Sequence, residues 1–254
     1  MTFSAHIPTA AHGRIGVAFT DRFGGWSSPP FDSFNLGRTG IDTPHCLESN
    51  YRLLGALVHC DKIAICSQMH GTDVVVVDGG YPFVGAGTFL DPDADPHPRA
   101  DGMVTRETGV ALVIRAADCV PVLFADSQAR VIGAAHAGRV SLLGGVLEKT
   151  VGSMLALGAK RLRAWIGPHV CPSCYEVPEE MARAAWEKIP ACRSQSGRGT
   201  AAIDLGAGVE EELAAHDVQT TRLDPCTSCD PRFFSHRRDK GNTGRQGGVI
   251  WLNP

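Results

Sequence analysis

The sequence predicts a single α+β domain spanning residues 1–254, on three observations. Short apolar runs rich in β-branched residues alternate with apolar stripes at helical spacing. A hydrophobic fraction of 43% over 254 residues is ample for one core. No internal repeat and no linker separates the apolar blocks.

In chain order, Ile15 to Thr20 is a short strand that runs into Asp21-Arg22-Phe23-Gly24-Gly25, a glycine turn that exposes backbone. Asn35, between Phe34 and Leu36, is either a turn residue or a hydrogen-bond partner for a ligand. Thr43-Pro44 starts a helix whose stripe of Leu47, Leu53, Leu54, Leu57 and Val58 runs through to His59. Ile63 to Gln68 and Val74 to Val77 read as strands, with His70 at the bend marked by Gly71. Gly79 to Gly102, dense in Gly, Pro and Asp, reads as an irregular loop placed to cover a site; it lacks the spacing and closing Glu of a calcium loop. Three apolar runs follow: Val110 to Ile114, Val120 to Phe124 and Val131 to Ala135. Ser141 to Leu157 is a helix stopped by Gly158, and Leu162 to Ile166 is a strand. Beyond it lie a helix from Glu179 to Ile189, a flexible Ser/Gly/Arg stretch from Arg193 to Thr200, and a helix from Leu205 to Ala215 capped by Asp204. Val218 to Leu223 and Val249 to Leu252 complete the strands.

A formal net charge of -3 with scattered basic residues excludes the basic footprint of a nucleic-acid binder. No apolar run approaches a membrane span, and the N-terminus has no secretory signal pattern, so the cytoplasm is the expected compartment. Nine cysteines in a reducing compartment read as thiols with a minority of ligands or nucleophiles.

Chemistry concentrates between Val110 and Gly138. If Asp126 to Ala129 is a hairpin loop and Ala125 pairs with Arg130, Cys119 sits opposite His136 on the same face. Three readings are open for this pair: packing residues, a nucleophile and base with Asp118 or another carboxylate orienting the imidazole, or metal ligands. The metal reading needs a third donor, and His70 is the natural one; three protein ligands and an open position is the catalytic zinc pattern. Two His, one Cys and an axial Met69 or Met103 would also suit blue copper. A multicopper enzyme, however, needs His-x-His pairs, and the ten His residues contain none. Cys171-Pro-Ser-Cys174 and Cys226-Thr-Ser-Cys229 have zinc-knuckle spacing. The 51 residues between Cys174 and Cys226 exceed the span of a compact zinc ribbon, so ordinary thiols are the favoured reading.

Taken together, Arg22-Phe23-Gly24-Gly25, Phe34-Asn35-Leu36-Gly37, Gln68-Met69-His70-Gly71, Ala100-Asp101-Gly102, Ala117-Asp118-Cys119-Val120-Pro121, Ala135-His136-Ala137-Gly138, Tyr175-Glu176-Val177, Phe233-Phe234-Ser235-His236-Arg237-Arg238 and Thr243-Gly244-Arg245 cover nearly the whole chain. In this order they resemble the laccase-domain family. Its members are long labelled multicopper polyphenol oxidoreductases and also known as purine nucleoside phosphorylase-like or peptidoglycan editing factor proteins. The resemblance implies a β-sandwich of mixed sheets flanked by helices, with Zn²⁺ on His70, Cys119 and His136. It also implies phosphorolysis of purine nucleosides and deamination of adenosine; bacterial relatives are implicated in removing wrongly added amino acids from cell-wall precursors. A metal-stabilised binding protein without turnover is the non-enzymatic alternative. On the leading reading the partners are a purine nucleoside and phosphate. Asp118 then orients an imidazole or carries a proton, Asn35 hydrogen-bonds the substrate and Arg22 takes the phosphate. The sequence departs from the family where Arg139-Val140-Ser141 follow His-Ala-Gly in place of Trp-Arg-Gly, and where Met69 replaces a Val.

Overall fold

Two mixed β-sheets face each other with helices on both outer surfaces, in a computed structural model that describes residues 3–7, 15–38, 42–85, 87–89 and 95–253. One sheet runs in the spatial order β1 (Phe3–Ile7), β2 (Ile15–Thr20), β13 (Gln246–Leu252), β6 (Val110–Ala116) and β3 (Lys62–Ala64). The other runs β12 (Gln219–Arg222), β9 (Arg163–Ile166), β7 (Val120–Asp126), β8 (Val131–Ala137), β5 (Gly102–Thr105) and β4 (Val74–Val76). Antiparallel pairing dominates; the pairs β3/β6, β4/β5 and β9/β12 are parallel.

Side-chain alternation builds the layers. On β6, Val110, Leu112 and Ile114 face the space between the sheets, while Ala111 and Val113 face outward. On β7 and β8, Leu123, Ala125, Ile132 and Ala134 meet them from the other side, packed with Phe19, Met103 and Trp165. The opposite faces of β7 and β8, with Val122, Phe124, Val131 and Ala135, are covered by α2 (Arg139–Gly144), α3 (Val146–Ala156), α4 (Glu179–Lys188) and α5 (Leu205–Ala214). Both faces of these central strands are therefore dry, which is why they read as unbroken apolar runs. Helix α1 (Pro44–Val58) covers the outer face of the first sheet through Leu47, Tyr51, Leu54 and Val58. It starts where expected: the Thr43 side chain accepts the Cys46 N–H at 3.2 Å, and left-handed His59 ends it.

The structure corrects several expected details. The β7–β8 loop is Ser127–Arg130, because Asp126 pairs with Val131. Asp126 Oδ1 accepts the N–H groups of Gln128 and Ala129 at 2.9 and 3.0 Å, and Arg130 turns the chain back with φ 54°. The register slides by two residues from the expected one, so His136 opposes Pro121 rather than Cys119. A two-residue slide preserves the face, and the two residues remain diagonal neighbours on it. The expected helix from Ser141 to Leu157 is two helices, broken at Gly145, whose φ of 92° closes α2 and precludes continuation. The stretch expected to be flexible contains a hairpin, β10 (Arg193–Gln195) with β11 (Ala201–Ile203), pinned where Trp186 Nε1 donates to the Ala202 carbonyl at 3.1 Å. Strands β1 and β5 were not expected, and β5 is wholly buried without alternation. Of the loop expected over Gly79 to Gly102, residues 86 and 90–94 lie outside the described residues. Among the described residues no helix is long and apolar enough to cross a membrane.

Asp126 is a buried carboxylate with four backbone donors: besides its own loop, Oδ2 accepts the N–H groups of Lys160 and Arg161 at 2.7 and 2.9 Å. Burial pushes its carboxyl up, but these four backbone donors outweigh burial and hold it below the ordinary Asp value. Asp126→Asn turns an NH₂ against two N–H donors and is expected to cost about 2–3 kcal/mol in urea unfolding at pH 7. A depressed folded-state pKa stabilises above the unfolded value of about 4 and is lost as pH falls through the folded one. The gap between wild type and variant should therefore narrow in unfolding curves measured below about pH 4.

Candidate metal centre and cavity

Three turns at one end of the sandwich bring the site together. The first carries His70, held in the left-handed region at φ 56°. Asp101, fully buried on the residue before β5, holds that turn with its carboxylate. Oδ2 accepts the N–H groups of Met69 and Gly71 at 2.9 and 2.7 Å, and Oδ1 accepts that of His70 at 3.0 Å. The same Oδ1 accepts the Nδ1–H of His136 at 2.7 Å, and the His136 backbone N–H donates to the Asp101 carbonyl at 2.8 Å. Burial raises the Asp101 carboxyl, but the His136 hydrogen bond and the backbone donors outweigh it and keep it ionised below the ordinary range. With Nδ1 committed to Asp101, Nε2 is the ring nitrogen His136 can offer to a metal.

His136 ends β8 beneath the second turn. Burial pulls its pKa down, yet the Cys119 sulphur and the Asp101 carboxylate pull harder and hold it up at about 9. The Ser141 hydroxyl locks this turn by accepting the Gly138 N–H at 2.9 Å and donating to the His136 carbonyl at 2.7 Å. The His70 and His136 rings meet edge to face with centroids 4.8 Å apart.

Cys119 sits on the third turn, between β6 and β7, next to Asp118 at φ 87°. Asp118 does not orient an imidazole, a task that falls to Asp101. Its Oδ1 accepts the Thr227 hydroxyl at 2.7 Å, its Oδ2 the Arg237 N–H at 2.6 Å and its carbonyl the Val170 N–H at 3.0 Å. It thereby ties the Cys119 turn to the C-terminal segment.

The donor atoms of His70, Cys119 and His136 all lie within 4.8 Å of one another. Gly138 makes the room. A Cβ there would stand 2.6 Å from His70 Nδ1 and 3.0 Å from Cys119 Sγ. Two imidazoles and one thiol, with one ring locked by a carboxylate, form a donor set that fits a tetrahedral borderline metal. An axial thioether for copper is harder to find. Met103 is buried between the sheets with its sulphur 3.7 Å from the Tyr81 hydroxyl, and the Met69 sulphur lies 4.0 Å from Ser67 Oγ.

The three donors line a cavity of about 760 Å³, a volume suited to a small-molecule substrate. Arg38, Arg115, Arg237 and Arg245 also line it, with Tyr175 and Gln68. The Arg237 guanidinium lies 5.2 Å over the Tyr175 ring, and burial first of all raises the Tyr175 phenol above its ordinary pKa. Arg22 and Asn35 stand outside the lining. Arg22 donates to the Asp32 carbonyl at 2.8 Å and lies 4.7 Å over the Phe234 ring. The Asn35 amide is buried and consumed internally, accepting from Gly37 N and Arg245 N at 2.8 and 2.9 Å and donating to the Gly37 carbonyl at 2.9 Å and to Asp42 at 2.8 Å. It holds the backbone that presents Arg245. Arg139, at the departure from the family pattern, pulls the Tyr175 phenol down against the larger effect of burial.

Asp101, Arg237 and Arg245 stand in the family-like motifs, but the sequence assigns no role to them or to Arg38 and Arg115; a buried carboxylate serving backbone N–H groups leaves no spacing pattern to find. It also expected four ordinary thiols where the structure brings the sulphurs of Cys171, Cys174, Cys226 and Cys229 within 4.8 Å of one another.

Residues 16–253 match the family described as multi-copper polyphenol oxidoreductase laccase. A purine nucleoside phosphorylase of Streptomyces griseus is 41% identical over 253 residues, covering 98% of each chain. One of Streptomyces coelicolor is 42% identical over 241 residues, covering 92% of this chain and 94% of its own. A crystal structure of a Neisseria meningitidis protein assigned to the DUF152 family superposes with a TM-score of 0.81 at 30% identity, covering 100% of both chains.

Two substitutions probe the centre. Asp101→Asn keeps one acceptor but sets an NH₂ against the donors around it, and is expected to weaken metal retention about 10–100-fold in competition with a chelator. Gly138→Ala leaves an ordinary backbone angle but forces His70 and Cys119 apart; metal content should fall while far-UV circular dichroism stays unchanged.

Proposed function

The chain belongs to the multi-copper polyphenol oxidoreductase laccase family, and we propose that it is a zinc-dependent purine nucleoside phosphorylase with the metal on His70, Cys119 and His136. The observation that carries this reading is the meeting of that donor set with four arginines in one cavity of substrate size. The His₂Cys set suits zinc and copper alike; zinc is favoured because neither Met69 nor Met103, the thioethers that copper would need, lines the cavity. When bound, the ion would supply Lewis acidity to the substrate in the cavity.

The rest of the chemistry belongs to side chains. In phosphorolysis a phosphate oxygen forms a bond to the sugar C1′ while the C1′–N bond breaks; the base leaves with the electron pair and takes up a proton. The products are free purine and ribose 1-phosphate. Arg38, Arg115, Arg237 and Arg245 supply the positive field for a phosphate dianion, and guanidinium forks match its oxygens. The Tyr175 ring offers a flat wall for a purine, and the phenol, kept protonated, can donate to a base nitrogen. Asp118, Arg22 and Asn35 act in this scheme as positioning residues: Asp118 sets the Cys119 turn, Asn35 presents Arg245, and Arg22 braces the Phe234 segment. The nine free thiols suit a cytoplasmic location.

The test is incubation of zinc-loaded protein with adenosine or inosine, with and without phosphate. Adenine or hypoxanthine together with ribose 1-phosphate, formed only when phosphate is present, is the expected result. No free base under either condition defeats the reading, and phosphate-independent conversion of adenosine to inosine replaces it with deamination. Arg237→Ala should raise the KM for phosphate about tenfold or more, the loss of roughly one charge-assisted hydrogen bond, with a smaller change in the KM for nucleoside.

A further inference from the structure

Away from the arginine-lined cavity, two Cys-x-x-Cys turns face each other. In the first, a 3-10 turn over Pro172–Cys174 is closed by the Cys174 N–H donating to the Cys171 carbonyl at 3.0 Å. In the second, the Asp230 N–H donates to the Cys226 carbonyl at 3.0 Å. A parallel bridge between His169 and Cys226, with the Thr227 N–H donating to the His169 carbonyl at 3.0 Å, sets the turns side by side. We infer that Cys171, Cys174, Cys226 and Cys229 bind a second, structural zinc ion as a closed tetrathiolate site.

Three observations support this assignment. A tetrahedral site with Zn–S bonds of about 2.3 Å places its sulphurs about 3.8 Å apart. Here all four lie within 4.8 Å of one another, and Cys174 and Cys229 are 3.4 Å apart, too far for a disulfide bond of about 2.05 Å. Backbone donors also serve the sulphur rather than an oxygen: the N–H groups of Cys171 and Cys229 point at Cys226 Sγ at 3.3 and 3.4 Å, an arrangement that favours thiolate. Finally, the cluster differs from the packing cysteines. Cys60, Cys66 and Cys192 are each buried in a separate apolar core cluster, whereas three of these four are half-buried, Cys174 at the margin of the cluster that holds Cys192, and Cys229 is exposed. Four thiolates gathered at a partly wet surface repel unless a cation sits among them. Binding releases the remaining thiol protons and leaves no open position, so the ion serves structure rather than turnover.

The site would act as a clip behind the cavity wall. Tyr175 follows Cys174 directly, and Thr227, between the second pair, donates its hydroxyl to Asp118, whose carbonyl also accepts the N–H of Val170, the residue before Cys171. Closing the clip fixes Tyr175 and the Cys119 turn together.

Metal analysis of the reduced, chelator-free full chain tests this. Wild type should carry two zinc ions per chain, one for each donor group. Cys171→Ser/Cys226→Ser should carry one. His70→Ala/His136→Ala should also carry one, and its X-ray absorption should show four sulphurs at about 2.3 Å and no nitrogen. That last arm stands even if the double serine variant fails to fold, and it does not depend on which metal or activity belongs to the cavity. The inference is overturned if the His70/His136 variant holds no metal, if iron occupies the sulphur site, or if non-reduced peptide mapping of freshly purified protein finds these four cysteines joined in disulfides.

Discussion

The Asp101 carboxylate is where three chain segments meet. One oxygen serves the His136 ring and the His70 N–H, and the other serves the N–H groups on either side of His70. A fully buried carboxylate is costly unless each lone pair is used, and here the donors are groups that would otherwise be orphaned in a tight turn. The same contact therefore makes the left-handed His70 turn tolerable, sets the His136 tautomer and holds two of the three candidate metal donors in one frame. Protonating or removing this group releases all three effects at once, because they share two oxygen atoms.

The sandwich supplies the rigidity behind that contact. Strands β7 and β8 are dry on both faces, between the first sheet on one side and four helices on the other, so the turns at their ends cannot drift independently. The site sits where the strands stop: Cys119 just before β7, His136 at the end of β8, and Asp101 at the start of β5 beside it. The C-terminal segment closes the cavity through Arg237 and Arg245, and it reaches there because Asp118 and Asn35 accept its backbone N–H groups. A chain with a net charge of -3 thus presents a locally basic cavity, in which four arginines gather from separate parts of the sequence.

Local pattern made much of the fold legible. The unbroken apolar runs of β6, β7 and β8, the Thr43-Pro44 start of α1 and the Asp204 cap of α5 are decided by neighbours in sequence, and the structure has them. Glycines were read less well. Gly145 breaks a helix that its apolar stripe continues through, because the break is a backbone angle rather than a change of pattern. The hairpin register is two residues from the expected one because the Asp126 side chain captures the loop; Cys119 and His136 are not paired, and they share a face only because an even shift keeps parity. Strand β5 and the β10–β11 hairpin have too few residues to carry a period of their own.

By itself the sequence determined the α+β class and the apolar runs of the central strands, and with an assumed hairpin it placed Cys119 and His136 on one face, because side-chain direction along a strand alternates with residue count. Tertiary structure decided which carboxylate locks His136, that Arg22 and Asn35 brace the protein instead of lining the cavity, and that two cysteine pairs separated by 51 residues converge. Such contacts depend on how sheets stack and where long loops return. That distance in space is set by packing across the whole domain, and no interval along the chain encodes it.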